Sequence, residues 1–270
     1  MELWPAAGSP LLFYPGSMLE PGHYRLFLNA LAEAGFSVCG LHLPGHGQNS
    51  GRLRAIDELL EFGLEAERWV AERYQSQVAL CGHSQGGILA MAHAARSELR
   101  GPCFSICSVF PDMPSAIELT RFAPFVRHRH KIMAFIAALA RVLPRLPVPL
   151  PLYLSLGRLL RGRKWPLAYG NGEGPSCYPL QFVHSLFDAR IARPLRRHFW
   201  LFSAENDALF TKTLTKETFA QANPPGGKII WLPDGGHLAL FNPALAAFVA
   251  SSCASFAAGL GLGLKTGQIP

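Results

Sequence analysis

Ser84 stands in the run Gly82-His83-Ser84-Gln85-Gly86, after the apolar stretch 78–81 and before the helix-like stretch 87–95. A serine in a sharp turn between a strand and a helix is a nucleophile elbow, and the helix start leaves backbone N–H groups free to hold an oxyanion. The glycines two before and two after the serine let strand and helix approach closely. The same run also occurs in ordinary Gly-rich turns, so the reading depends on partners. Serine is a weak nucleophile without an adjacent base. Histidine suits that role because imidazole titrates near working pH, and a carboxylate must then orient the ring and stabilise its protonated form. Of the chain's ten histidines, His237 is the base candidate, in the Gly-rich loop Pro233-Asp234-Gly235-Gly236-His237-Leu238 after an apolar run. Asp207 is the acid candidate, a few residues beyond the run 198–202, with Glu205 and Asp234 as rivals. The chain order serine, acid, histidine fits an acyl-transfer site that works through an acyl-enzyme.

An oxyanion needs two N–H donors. One is expected from Gln85, next to the nucleophile. The other is expected from the loop Pro15-Gly16-Ser17-Met18, where Gly16 permits a tight backbone. Ser17 is the favoured donor and Met18 the alternative. His83 and Met18 are also expected to face the substrate.

These residues need elements to carry them. The pattern predicts strands over 11–14, 36–41, 78–81, 103–110, 198–202 and 228–232, each a short apolar run stopped by Gly or Pro. It predicts helices over 24–34, 56–74, 87–95, 213–222 and 243–257. Alternating strands and helices imply an α/β fold with a mostly parallel sheet and helices on both faces. The alternation fails over 112–190, where 117–123 and 130–143 read as amphipathic helices among prolines, 158–165 as a basic stretch and 170–175 as a loop. This segment is expected to be a mainly helical cap inserted into a core of residues 1–111 and 191–270. The Gly-rich tail 259–270 reads as mobile.

Composition narrows the classes. A chain of 270 residues, 49% hydrophobic, can bury one large core with a subordinate cap. No apolar run approaches the roughly 20 residues that span a bilayer, and residues 1–5 do not read as a secretory signal. The six cysteines lack metal-like spacing and read as buried, reduced thiols, which suits a cytoplasmic location. No metal and no cofactor is implied. The net charge is +7, and all of it lies in 112–190, which holds eleven Lys/Arg against four Asp/Glu. A basic and apolar segment fits an anionic substrate, peripheral contact with an anionic lipid surface, or a solvated face without a partner. Nucleic acid is not expected, since no recognised binding motif accompanies the charge.

With the elbow 82–87, Asp207 and His237 in hand, the chain resembles the α/β-hydrolase superfamily, and within it the monoacylglycerol lipase, lysophospholipase and serine-aminopeptidase-like branch. The run Leu41-His42-Leu43-Pro44-Gly45-His46-Gly47-Gln48-Asn49-Ser50 resembles that branch's loop ending in G-H-G-x-S. The likeness covers 11–111 and 191–257 and leaves the cap out. Three departures stand out: Pro15-Gly16 replaces the usual His-Gly, His42 stands where Asp is frequent, and the usual leading hairpin is not expected. His46 is expected to hold its own loop.

The resemblance implies hydrolysis of a carboxylic ester of an acyl or lipid-like small molecule. In the cap, Phe122, Phe125, Met133, Phe135, Leu139, Leu146 and Leu150 either line an acyl pocket or bury the cap against the core. Two alternatives stay open: an acyl thioesterase using the same three residues, and a non-catalytic protein that only binds a ligand. Either a monomer or a homodimer accommodates this reading.

Overall fold

The computed structural model describes residues 1–46, 49, 51, 53–110, 123–149, 152, 177–189 and 195–263. Seven strands form the central sheet: β1 (Glu2–Trp4), β2 (Pro10–Tyr14), β3 (Ser37–Gly40), β4 (Ala79–His83), β5 (Cys103–Ile106), β8 (Phe199–Ala204) and β9 (Lys228–Leu232). Their order is β1-β3-β2-β4-β5-β8-β9. All neighbours run parallel except β1, which pairs antiparallel with β3, Leu3 facing Cys39. One short antiparallel edge strand that the sequence did not announce precedes β2; it pairs with β3 and not with β2, so the two make no hairpin. Three residues without apolar alternation gave it no sequence signal.

Strands β2, β3, β4, β5 and β8 are buried at every position. Their side chains alternate between faces, so one sheet divides the core in two. Leu12, Tyr14, Cys39 and Leu80 point to one side, where helices α2 (Ile56–Tyr74) and α3 (Gln85–Arg96) bring Leu59, Val70, Leu89 and Met91. Leu11, Phe13, Cys81 and Phe104 point to the other, against Leu28 and Leu31 of α1 (Arg25–Glu33) and Val249 and Cys253 of the last helix, Pro243–Gly259.

Within 112–190 the described residues form α4 (Arg129–Val142), β6 (Pro147–Pro149), β7 (Cys177–Pro179) and α5 (Leu180–Phe187). Strands β6 and β7 make a small antiparallel pair, which a mainly helical expectation omitted. Tyr178, Phe182, Val183 and Leu186 enter the same apolar cluster as α2 and α3, so this return segment is seated on the sheet layer. The expected helix 117–123, the basic stretch 158–165 and the loop 170–175 fall wholly or largely outside the described residues. Helix α6 (Lys212–Ala222) links β8 to β9, and Pro243–Gly259 is α7. Past α7 the chain folds back rather than trailing off: Gly261 adopts φ 77°, and Leu262 N–H donates to the Ala257 carbonyl at 3.0 Å. Residues 264–270 lie outside the described set.

Candidate active site

Four loops at the carboxyl ends of parallel strands converge, the location that open α/β sheets offer for a site. Ser84 follows β4 with φ 56° and ψ −122°, a left-handed conformation that is strained for a residue with a side chain. From 78 to 94 it is the one residue that is not fully buried. The flanking glycines are required by contact. A Cβ on Gly82 would sit 2.1 Å from the Gly86 carbonyl oxygen, and one on Gly86 would sit 2.1 Å from that of Tyr14.

Ser84 Oγ and His237 Nε2 are 2.8 Å apart, and His237 Nδ1 and Asp207 Oδ2 are 2.9 Å apart. Asp207 is 3% exposed and His237 4%. A carboxylate can only accept, so His237 Nδ1 carries the proton and Nε2 accepts from the serine hydroxyl. The other carboxylate oxygen, Oδ1, accepts the Leu209 and Phe210 N–H groups at 2.8 and 3.0 Å, which fixes the acid's orientation. The rivals are engaged elsewhere. Glu205 pairs with Lys212, and Asp234 Oδ1 accepts from Asn206 and from the Gly235 N–H. Asn206 also accepts the Gly236 N–H at 2.8 Å, and so ties the acid loop to the histidine loop.

Among the described residues, the backbone N–H groups of Ser17 and Gln85 donate to no acceptor, while their side chains bond to each other, Ser17 Oγ–H to Gln85 Oε1. Met18 differs. Its N–H donates to the Tyr178 hydroxyl at 2.7 Å, and its side chain lies in the core at 2% exposure. Met18 is therefore neither a free donor nor open to a substrate, contrary to expectation.

His83 is corrected too. It is 1% exposed, and both ring nitrogens are occupied. Nε2–H donates to the His237 carbonyl at 2.8 Å, and Nδ1 accepts from the Tyr24 hydroxyl at 2.8 Å. Burial, and then the neighbouring His237, lower its pKa to about 3. His83 is therefore closed off from the site opening, and its ring holds the His237 backbone. Phe125 is 53% exposed, and Phe135 (67%) and Leu146 (42%) are exposed as well. Phe122 and Leu150 lie outside the described residues. No group of three or more His, Cys, Asp or Glu able to hold a metal occurs among the described residues.

The contact between Ser84 Oγ and His237 Nε2 is short enough for a proton to move from the hydroxyl to the ring. The sequence model of the alpha/beta hydrolase family matches residues 11–250. The chain belongs to that family. Solved structures repeat the fold. A monoacylglycerol lipase from Paleococcus ferrophilus covers 93% of this chain and 99% of its own, with a TM-score of 0.67 and 18% identity. A soluble variant of monoglyceride lipase from Saccharomyces cerevisiae, solved with a substrate analogue, covers 94% and 89%, with a TM-score of 0.72 and 12% identity. A stretch of 73 residues is 36% identical to 2-succinyl-6-hydroxy-2,4-cyclohexadiene-1-carboxylate synthase of Photorhabdus laumondii, spanning 25% of this chain and 26% of that protein.

Two departures from the alpha/beta hydrolase pattern now have structural counterparts. Pro15 gives no N–H, and the Gly16 N–H beside it donates to the Tyr24 hydroxyl at 3.0 Å. His42 lies 3.7 Å from a carboxylate oxygen of Glu2 and 3.5 Å from one of Glu20. His46 does hold its loop, Nδ1–H donating to the Pro44 carbonyl at 3.0 Å, but it also accepts from Tyr178 at 2.7 Å. Gly47, Gln48 and Ser50 of the same motif lie outside the described residues. Sequence reasoning missed Tyr24, Tyr178 and Asn206. Tyr24 passed as one apolar position of a helix, Tyr178 sat in a segment without pattern, and only its place beside Asp207 could have marked Asn206.

Proposed function

We propose that this chain is a serine hydrolase that cleaves carboxylic esters of acyl or lipid-like small molecules. The observation that carries the reading is the chain of contacts Ser84–His237–Asp207 at 2.8 and 2.9 Å, held by three separate loops. Ser84 Oγ attacks the ester carbonyl while His237 Nε2 takes its proton. The oxyanion is held by the N–H groups of Ser17 and Gln85, and Asp207 stabilises the imidazolium. His237 then protonates the departing alcohol, leaving an acyl-enzyme on Ser84. Water, deprotonated by His237, releases the acid and restores the serine. The balance closes with ester and water as the only reactants.

In this reading residues 112–190 form a cap whose apolar, basic outer face meets the headgroups of an anionic lipid surface. That extension is supported by Phe135, Val142 and Leu143, exposed beside the exposed Lys131, Arg141 and Arg145.

The test uses a fluorophosphonate probe and p-nitrophenyl esters of rising chain length. Wild type should label and turn over. Ser84→Ala should lose labelling and at least about a thousand-fold in kcat, since the serine, base and acid act as a unit. Equal behaviour of the two proteins would leave a ligand-binding role. Faster cleavage of an acyl thioester than of the matching ester would move the substrate class to thioesters.

A further inference from the structure

The Ser17 N–H lies between two main-chain groups that are already committed. On one side the Gly16 N–H donates to the Tyr24 hydroxyl at 3.0 Å; on the other the Met18 N–H donates to the Tyr178 hydroxyl at 2.7 Å. Each phenol O–H donates a hydrogen bond to a buried histidine, Tyr24 to His83 Nδ1 at 2.8 Å and Tyr178 to His46 Nε2 at 2.7 Å. The far nitrogen of each imidazole donates to a backbone carbonyl, that of His237 for His83 and that of Pro44 for His46. Donors and acceptors therefore run in one consistent direction through both couples. We propose that the couples Tyr24–His83 and Tyr178–His46 are positioning pairs that brace the oxyanion loop on either side of Ser17 and leave its N–H as the free donor.

The reasoning is structural. Met18 holds φ 60°, which a residue with a side chain does not keep unless its surroundings impose it. Removing the acceptor from its N–H would let the loop relax and swing the Ser17 N–H away from the oxyanion. Both phenols are fully buried, and burial raises both pKa values, so each remains a neutral donor–acceptor. Burial likewise lowers the pKa of His46, which keeps that ring an acceptor. The two couples differ in what they join. Tyr24–His83 ties the oxyanion loop to the backbone of the base. Tyr178 lies on β7, inside the 112–190 segment, so its couple ties the seating of that segment to the shape of the oxyanion hole.

This proposal rests on the hydrolase reading, and the experiment separates the two. Tyr178→Phe and Tyr24→Phe each delete one oxygen. Full loss of an oxyanion donor costs about 100- to 1000-fold in kcat, so a misplaced donor should cost about ten-fold or more with KM within about two-fold. Affinity for an alkylboronic acid, which forms a tetrahedral adduct on the serine, should fall by the same factor. Affinity for the ether analogue of the ester, which has no oxyanion, should hold. A structural role alone would not produce that split. If kcat stays within about two-fold of wild type, or falls without loss of boronate affinity, the brace is wrong while the hydrolase reading stands. If one variant fails to fold, the other couple gives the same readout. A wild type that neither labels nor turns over sinks both ideas.

Discussion

His83 shows how a residue beside Ser84 can matter while its own ring is buried and fully hydrogen-bonded. The folded protein keeps it neutral, with a pKa lowered to about 3 by burial and by His237, while the His237 carbonyl and the Asp207 charge pull the other way. Tyr24, the remaining group against the ring, is neutral as well, its pKa raised by burial. An unfolded histidine titrates near pH 6.5. Below that pH the unfolded chain binds a proton that the native state refuses. The contribution is therefore complete above about pH 6.5 and is lost as pH falls towards about 3, at about 1.4 kcal/mol per pH unit. The buried His46, whose pKa is also lowered, adds in the same direction. Urea midpoints taken between about pH 7 and about pH 5 should show wild type losing about 1–2 kcal/mol more than His83→Gln, which has no ring to titrate. Parallel pH slopes for the two proteins would refute a neutral His83.

Helix α2 meets α3 and the entry to β8 through a buried polar network that the chemistry does not use. Glu67 Oε2 accepts from His93 Nε2–H at 2.9 Å and from Ser97 Oγ–H at 2.6 Å, and Glu67 Oε1 pairs with Arg197. Arg197 also donates to the carbonyls of Val78 and Gly101, and His93 Nδ1 accepts from the Tyr14 hydroxyl at 2.6 Å. Burial alone would raise the Glu67 pKa, but His93 and Arg197 outweigh it and hold the carboxyl below its usual range. Breaking a buried pair leaves an uncompensated charge, so Arg197→Met should cost about 3–5 kcal/mol in chemical denaturation. Glu67→Leu combined with Arg197→Met should cost less than Arg197→Met alone. Additive losses would mean that the pair is not coupled. None of this network was legible in the sequence, because its members lie far apart along the chain and only the fold joins them. The strands were legible for the opposite reason. β4, β5 and β8 are buried on both faces, so each carries a run without polar alternation, Ala79–Cys81 in β4 and Phe199–Phe202 in β8, with only Ser105 interrupting β5. β1, β6 and β7 are three residues each, too short for a period to show. At the site, Ser84, Asp207 and His237 could be read from chain order and the glycines around them. Tyr24 and Tyr178 could not, since their partners at Gly16 and Met18 lie 8 and 160 residues away.

The whole molecule carries its charge unevenly, and this bears on where it works. The excess of +7 lies in 112–190, and the remainder of the chain is balanced. Among the described residues of that segment, Phe125, Phe135, Val142, Leu143 and Leu146 are exposed, alongside the exposed Arg127, Lys131, Arg141 and Arg145. Apolar side chains alone would bind any bilayer weakly. Cations beside them add attraction to anionic headgroups of about 1 kcal/mol each near the surface. No helix among the described residues is long and apolar enough to cross a membrane. Co-sedimentation should recover the protein with vesicles containing phosphatidylglycerol and much less with pure phosphatidylcholine. Raising salt to about 0.5 M should release it, because the screening length then falls well below its physiological value of about 8 Å. Arg141→Glu together with Arg145→Glu should weaken binding while hydrolysis of a short, water-soluble ester is unchanged, since both side chains are exposed and neither bonds to Ser84, Asp207 or His237. Equal recovery on neutral and anionic vesicles, or recovery insensitive to salt, would leave the basic face as a solvated surface and move the search for an anionic partner to the substrate itself.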